Sequence, residues 1–244
     1  MRPVRISSLM RRALFVAGAL GAILAGCSGG KDAPPLELEI LREGGDLIGQ
    51  RIAARNAAPR PVVNRALLDT LPGPLLEVTL ESREQLAYLY VNSQRRDSDP
   101  GLIIIWRTDD DITLTMRNGV LIATRGFGGD IVSSLVQVSA HAPGPASGGE
   151  RVQHVRALDN KELRLALVCD LDDLGSETVV IFERAHATRH LRETCTGGTA
   201  ADGSGEVGRV VNDYWVDSRS QVVWQSRQWA GPYIGYVRTR RLIK

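Results

Sequence analysis

Six of the twelve Phe, Trp and Tyr residues gather toward the C-terminal end: Tyr214, Trp215, Trp224, Trp229, Tyr233 and Tyr236. Arginines stand among them. Flat rings stack on the apolar faces of sugars, and guanidinium forks pair with carboxylates. Trp224, Arg227, Trp229, Tyr236, Arg238, Arg240 and Arg241 are therefore a candidate surface for an acidic polysaccharide. The competing reading puts the rings in a core and the arginines on its solvated outer face. Trp224 and Trp229 have opposite parity along a strand, which favours a core position for at least one of them.

Carboxylates are the next candidates. Glycoside cleavage needs two of them at a fixed separation, and the chain offers Asp109, Asp110 and Asp111, then Asp170, Asp172 and Asp173. Both groups read as turn residues, where Asp bonds its own backbone. The string H-A-T-R-H carries His186 and His190 at zincin spacing but lacks the zincin glutamate; as a strand, both would share a face with Thr188 between them. Residues 124–130, T-R-G-F-G-G-D, follow a strand without a helix to come, so the glycines read as a bend with positive φ. No catalytic residue, metal ligand or cofactor is assigned.

The third reactive group is sulfur. Arg2, Arg5, Arg11 and Arg12 precede an apolar run over residues 13–25, too short for the roughly 20 residues of a membrane span. The run ends L-A-G-C at Leu24–Ala25–Gly26–Cys27. This resembles the lipobox of bacterial lipoproteins, in which the cysteine is acylated and becomes the new N-terminus. Each buried methylene of such a chain adds about 0.8 kcal/mol, so several chains anchor stably. Ser28, rather than Asp, after the cysteine implies sorting to the outer membrane. With Cys27 lipidated, Cys169 and Cys195 remain as an even pair in an oxidising compartment. A disulfide between them is expected to stabilise by roughly 3–4 kcal/mol; two separately buried thiols are the alternative.

Loss of the leader also changes the charge. Four of the 30 basic residues go with it against 28 acids, turning a formal +2 into −2. That argues against a nucleic-acid partner. The chain divides into a signal peptide (1–26), a lipidated flexible tether rich in Gly and Pro (27–35) and a single β-rich periplasmic domain (36–244). Short helices are expected before residue 72, one capped by Asp46 and one within 61–71. From Leu75 the hydrophobic period becomes two: Leu76, Val78 and Leu80 face one way, Glu77, Thr79 and Glu81 the other. Strands are expected over 75–82, 85–91, 102–107, 112–117, 120–124, 151–158, 161–169, 178–183, 186–194, 207–217, 221–229 and 234–243. Asn118-Gly119 is a type I′ hairpin signal. The expected class is mainly β, an antiparallel meander forming a curved sheet, a sandwich or a partly closed barrel.

Several strings are similar to one family: I-T-L-T-M-R-N-G-V-L-I-A-T-R-G-F-G-G-D-I (112–131), H-A-T-R-H-L-R-E-T-C (186–195), N-D-Y-W-V-D (212–217) and W-Q-S-R-Q-W (224–229). With the lipobox they resemble the YjbF-type lipoproteins, grouped with the group 4 capsule polysaccharide lipoproteins. The resemblance implies a mostly β lipoprotein of a polysaccharide secretion locus, and it carries no catalytic residues over. The expected function is a non-enzymatic accessory role in exopolysaccharide or capsule production, export or assembly. Acidic polysaccharide and other envelope secretion proteins are the expected partners, with the lipid on Cys27 holding the chain to the outer membrane, facing the periplasm. The alternatives are a hydrolase or lyase acting on the polymer, and a module that docks envelope proteins.

Overall fold

Alternation of apolar and polar residues builds nearly everything between Val63 and the C-terminus. The computed structural model describes residues 63–197 and 208–244, and Val63–Lys244 form one compact unit. After helix α1 (Arg65–Thr70) come β1 (Leu75–Leu80), β2 (Gln85–Arg95), β3 (Ile103–Arg107), β4 (Thr113–Arg117), β5 (Val120–Arg125) and β6 (Ile131–Leu135). Then follow β7 (Gly149–Arg156), β8 (Glu162–Ile181), β9 (Arg184–Thr196), β10 (Val210–Asp217), β11 (Val222–Trp229) and β12 (Tyr236–Arg241). A 3₁₀ turn, Glu81–Arg83, joins β1 to β2.

The strands form one antiparallel sheet in the order β5-β4-β3-β2-β1-β12-β11-β10-β9-β8-β7-β6. Because β1 pairs with β12, the ends of the sheet are β5 and β6, which are consecutive in the chain. The sheet curls into a nearly closed barrel, the third of the architectures the alternation allows. Sheet twist favours such curling, and closure hides the edges that an open sheet exposes. Buried side chains of other strands hold the β5 end of the sheet. Gln228 of β11 accepts from the Leu121 amide of β5 at 2.8 Å and donates to the Gly119 carbonyl at 2.9 Å. Arg151 of β7 donates to the Leu121 carbonyl at 3.3 Å.

Inside, Leu76, Val78 and Leu80 of β1 pack with Leu89, Trp106, Leu114, Leu165 and Val237. A second cluster, Leu68, Val179, Ile181, Val222, Trp224 and Leu242, lies where α1 meets the sheet. Asn64 caps α1, its Oδ1 accepting from the Leu67 amide at 2.9 Å, so the helix starts four residues later than Pro61. The helix expected after Asp46 lies outside the described residues. No helix among the described residues is long and apolar enough to cross a membrane.

Two elements differ from expectation. Strand β8 runs unbroken for 20 residues, so Asp170, Asp172 and Asp173 belong to a strand and not to a turn. A bulge between Asp173 and Gly175 absorbs the irregularity, Asp172 stands in register opposite Arg192 of β9, and Asp173 binds Arg189. Strand β6 was not foreseen, because I-V-S-S-L lacks alternation. Cys169 and Cys195 are direct cross-strand partners with Cα atoms 3.9 Å apart, joined as a disulfide. The segment between them is a long hairpin, not an open loop.

Candidate functional site

Alternation on β12 sorts its arginines. Val237, Thr239 and Arg241 face Leu80, Val78 and Leu76 across the β1 ladder, on the interior side. Arg238 and Arg240 therefore point outward. They meet outward residues of both neighbours: Arg240 stands between Glu77 and Gln225, and Arg238 between Thr79 and Arg227. Together with Leu86 and Trp215 these side chains line a groove of about 520 Å³ on the outer wall.

Acids hold the guanidinium groups in place. Arg227 binds the Glu81 carboxylate through Nε at 2.9 Å and Nη2 at 2.8 Å, and its guanidinium lies 3.5 Å over the Tyr236 ring. The Glu81 carboxylate keeps the Arg227 pKa raised. Exposed Arg238 shares the same carboxylate, Nε to Oε1 3.3 Å. Arg240 donates from Nε to Glu77 Oε1 at 2.6 Å, and Glu77 is buried. Burial, and then the Glu77 charge, raises the Tyr88 pKa. Three guanidinium groups against two carboxylates leave one positive charge over, and Arg238 at the groove's rim is the group free to turn toward a ligand.

Trp215 supplies an aromatic wall. Its indole Nε1 is buried without a partner among the described residues. Behind it His190 stacks on the indole with centroids 4.4 Å apart. Asp213 holds His190 Nε2 at 2.8 Å, Glu177 lies 3.1 Å from Nδ1, and Arg192 donates to the same Asp213 oxygen at 2.8 Å. Rigid rings and fixed charges of this kind suit stacking and ion pairing with an anionic sugar chain.

The seven residues expected from the sequence are thus divided. Arg227, Tyr236, Arg238 and Arg240 come together on the outer wall. Trp224 is buried in the cluster beside α1, stacked on His186 at 3.7 Å, where burial lowers the His186 pKa. Trp229 is half-buried and packs on the interior clusters around Leu165 and Leu167. Arg241 lies on the interior side, its guanidinium 5.4 Å from the Trp106 ring. Glu77, Glu81, Leu86 and Trp215 complete the groove. Only knowledge that β1 pairs with β12 reveals the two glutamates, and one-strand patterns do not contain it.

The other motifs are occupied by structure. In the β3–β4 turn, Asp110 accepts from Thr108 Oγ1 at 2.5 Å and Asp111 pairs with Arg107. In the glycine-rich bend, Gly126, Gly128 and Gly129 all have positive φ. The Asp130 carboxylate takes the amides of Gly126 and Phe127 and the hydroxyl of Thr124. A residue of this chain thus fills the place a phosphate would need. His186 and His190 share one strand face, as their spacing requires, but each stacks on its own tryptophan.

No curated protein matches the chain. The crystal structure of the hypothetical lipoprotein YmcC from Escherichia coli K12 shares the fold, with a TM-score of 0.62 and 21% identity over 75% of this chain and 90% of that one. A family model described as group 4 capsule polysaccharide lipoprotein gfcB, YjbF matches residues 46–242. This chain belongs to the YjbF family of capsule polysaccharide lipoproteins.

Proposed function

We propose that the chain is an outer-membrane lipoprotein, anchored through Cys27 and facing the periplasm, that acts without catalysis in the production, export or assembly of a capsule or exopolysaccharide. On this reading residues 1–26 are removed, 27–35 form the tether, and the barrel contacts an acidic polymer through its outer groove. One observation carries the reading: a member of a capsule polysaccharide lipoprotein family presents three arginines, two held by glutamates and one free at the rim, around a tryptophan-walled groove.

The test is affinity of the lipid-free protein for acidic polysaccharide of its own cell. Arg238 is exposed, so Arg238→Ala removes a ligand contact without unfolding the wall. It is expected to weaken binding by roughly 2- to 5-fold, the size of a surface ion pair of up to about 1 kcal/mol. Arg227→Ala added to it should abolish most of the remainder. Arg240→Lys preserves the partner of buried Glu77 and should bind nearly as the parent does. Binding should weaken as salt rises. Polymer shortened by the purified protein would instead identify an enzyme.

A further inference from the structure

The barrel's end where β1 begins and β12 finishes holds a cavity of about 170 Å³, separate from the outer groove. At roughly 10–15 Å³ per water on a comparable measure, it has room for on the order of ten waters, or one sugar ring. Ile104, Trp106 and Met116 form part of an apolar wall, while Gln94, Arg241 and Lys244 supply polar groups.

Arg241 differs from the other inward or half-buried arginines of this chain. Arg117, Arg151 and Arg227 each have a carboxylate that holds the pKa up. Burial alone acts on Arg241 and lowers its pKa. Its hydrogen bond among the described residues runs from Nε to the Ile243 carbonyl, 3.2 Å, and Arg241 lines the cavity with neither terminal nitrogen partnered among the described residues. A guanidinium partly withdrawn from water without an anion carries a desolvation cost, and a bound anion offsets it.

We propose that this mouth is an anion-binding pocket for a carboxylate-bearing sugar, with Arg241 as the fork that grips the carboxylate. The donor set indicates the class. Gln221 Nε2 is spent on the His141 and Ser218 carbonyls, Ser220 on Asp217, and Asn118 Nδ2 on the Ser139 and Ala142 carbonyls. What remains is one planar fork, one ammonium and one amide, donors for an oxyanion, and the apolar wall of Ile104, Trp106 and Met116 favours a carboxylate carried on a sugar ring over free phosphate. That the carboxylate belongs to a sugar rests on the polysaccharide reading above; the pocket itself does not.

Titration of the folded protein with galacturonate, galactose and inorganic phosphate, followed by calorimetry or NMR shifts, decides the matter. Galacturonate should bind, galactose should not, and phosphate should bind more weakly than galacturonate. Arg241→Met should weaken galacturonate by about 10-fold or more, as loss of a charged hydrogen-bond donor does. Arg241→Lys keeps the charge but not the fork, and should weaken it several-fold even if the methionine variant folds poorly. Arg164→Ala, at an exposed arginine of β8 outside both sites, should leave galacturonate binding unchanged. Absence of galacturonate binding, equal affinity for galactose or phosphate, or binding that survives both Arg241 variants overturns the pocket. Loss of polymer binding in Arg238→Ala without galacturonate binding at the mouth would refute the pocket and leave the groove standing; the reverse result would refute the groove.

Discussion

Arg151 and Glu193 form an ion pair, Nη1 to Oε2 2.5 Å, sealed inside the barrel with both side chains buried. Asn212 Nδ2 donates to the same carboxylate oxygen at 2.7 Å and the Tyr214 hydroxyl lies 3.4 Å from it. Burial works to lower the Arg151 pKa, but the Glu193 charge outweighs it and the guanidinium stays protonated. Burial and the same carboxylate push the Tyr214 pKa up. The pair thus ties β7 to β9, while Arg151 also reaches β5 at Leu121.

Removing one partner strands the other charge in the interior. Arg151→Met or Glu193→Ala should each cost about 3–5 kcal/mol in urea unfolding. The double variant should cost less than the sum, since neither charge is then left alone. Additive losses would show that the pair is not coupled.

Acid should weaken a second pair. Arg117 grips Asp97 with two bonds of 2.7 Å, holding the Asp97 pKa down from 3.8 to about 2. A carboxylate whose folded pKa is depressed stabilises fully above its unfolded pKa, and the contribution is lost as pH falls through the folded value. Melting temperatures of the parent and Asp97→Asn should differ most at neutral pH and converge between about pH 4 and pH 2. A gap that stays constant with pH would contradict this assignment.

The disulfide closes a 26-residue separation. Replacing Cys169 and Cys195 together by Ala should lower stability by about 3–4 kcal/mol on the loop-entropy relation. Non-reducing mass spectrometry of the exported protein should find the two peptides joined; two freely alkylated thiols would contradict the bond.

Strands that bury one face announce themselves by alternation, as β11 does with burial at every second residue; β1 keeps the pattern except at Glu77, which is buried and paired with Arg240. The Asn118-Gly119 turn was equally readable: both residues have positive φ, and a Cβ on Gly119 would lie 2.4 Å from Val223. Strand β6 was hidden because Ile131-Val132-Ser133-Ser134-Leu135 does not alternate and draws its pairing from β7. Aspartates in β8 suggested a turn by local preference, and pairing with β9 overrode it. In the groove, Arg238 and Arg240 share a face by parity, and the same rule sends Arg241 inward. The glutamates that pin Arg227 and Arg240 lie 146 and 163 residues earlier in sequence, so only closure of β1 on β12 brings them there.

Anchorage is tested at Cys27. Cys27→Ser should yield a protein that carries no palmitate and no longer fractionates with the outer membrane. A variant that still carried palmitate would contradict lipidation at this cysteine.

Deletion of the gene, with surface polysaccharide measured under conditions where the gene is expressed, tests the proposed role most directly. Surface polysaccharide should fall in amount, change in chain length or fail to be displayed, and the parent gene should restore it. Unchanged amount, length and display in the deletion strain would contradict the account.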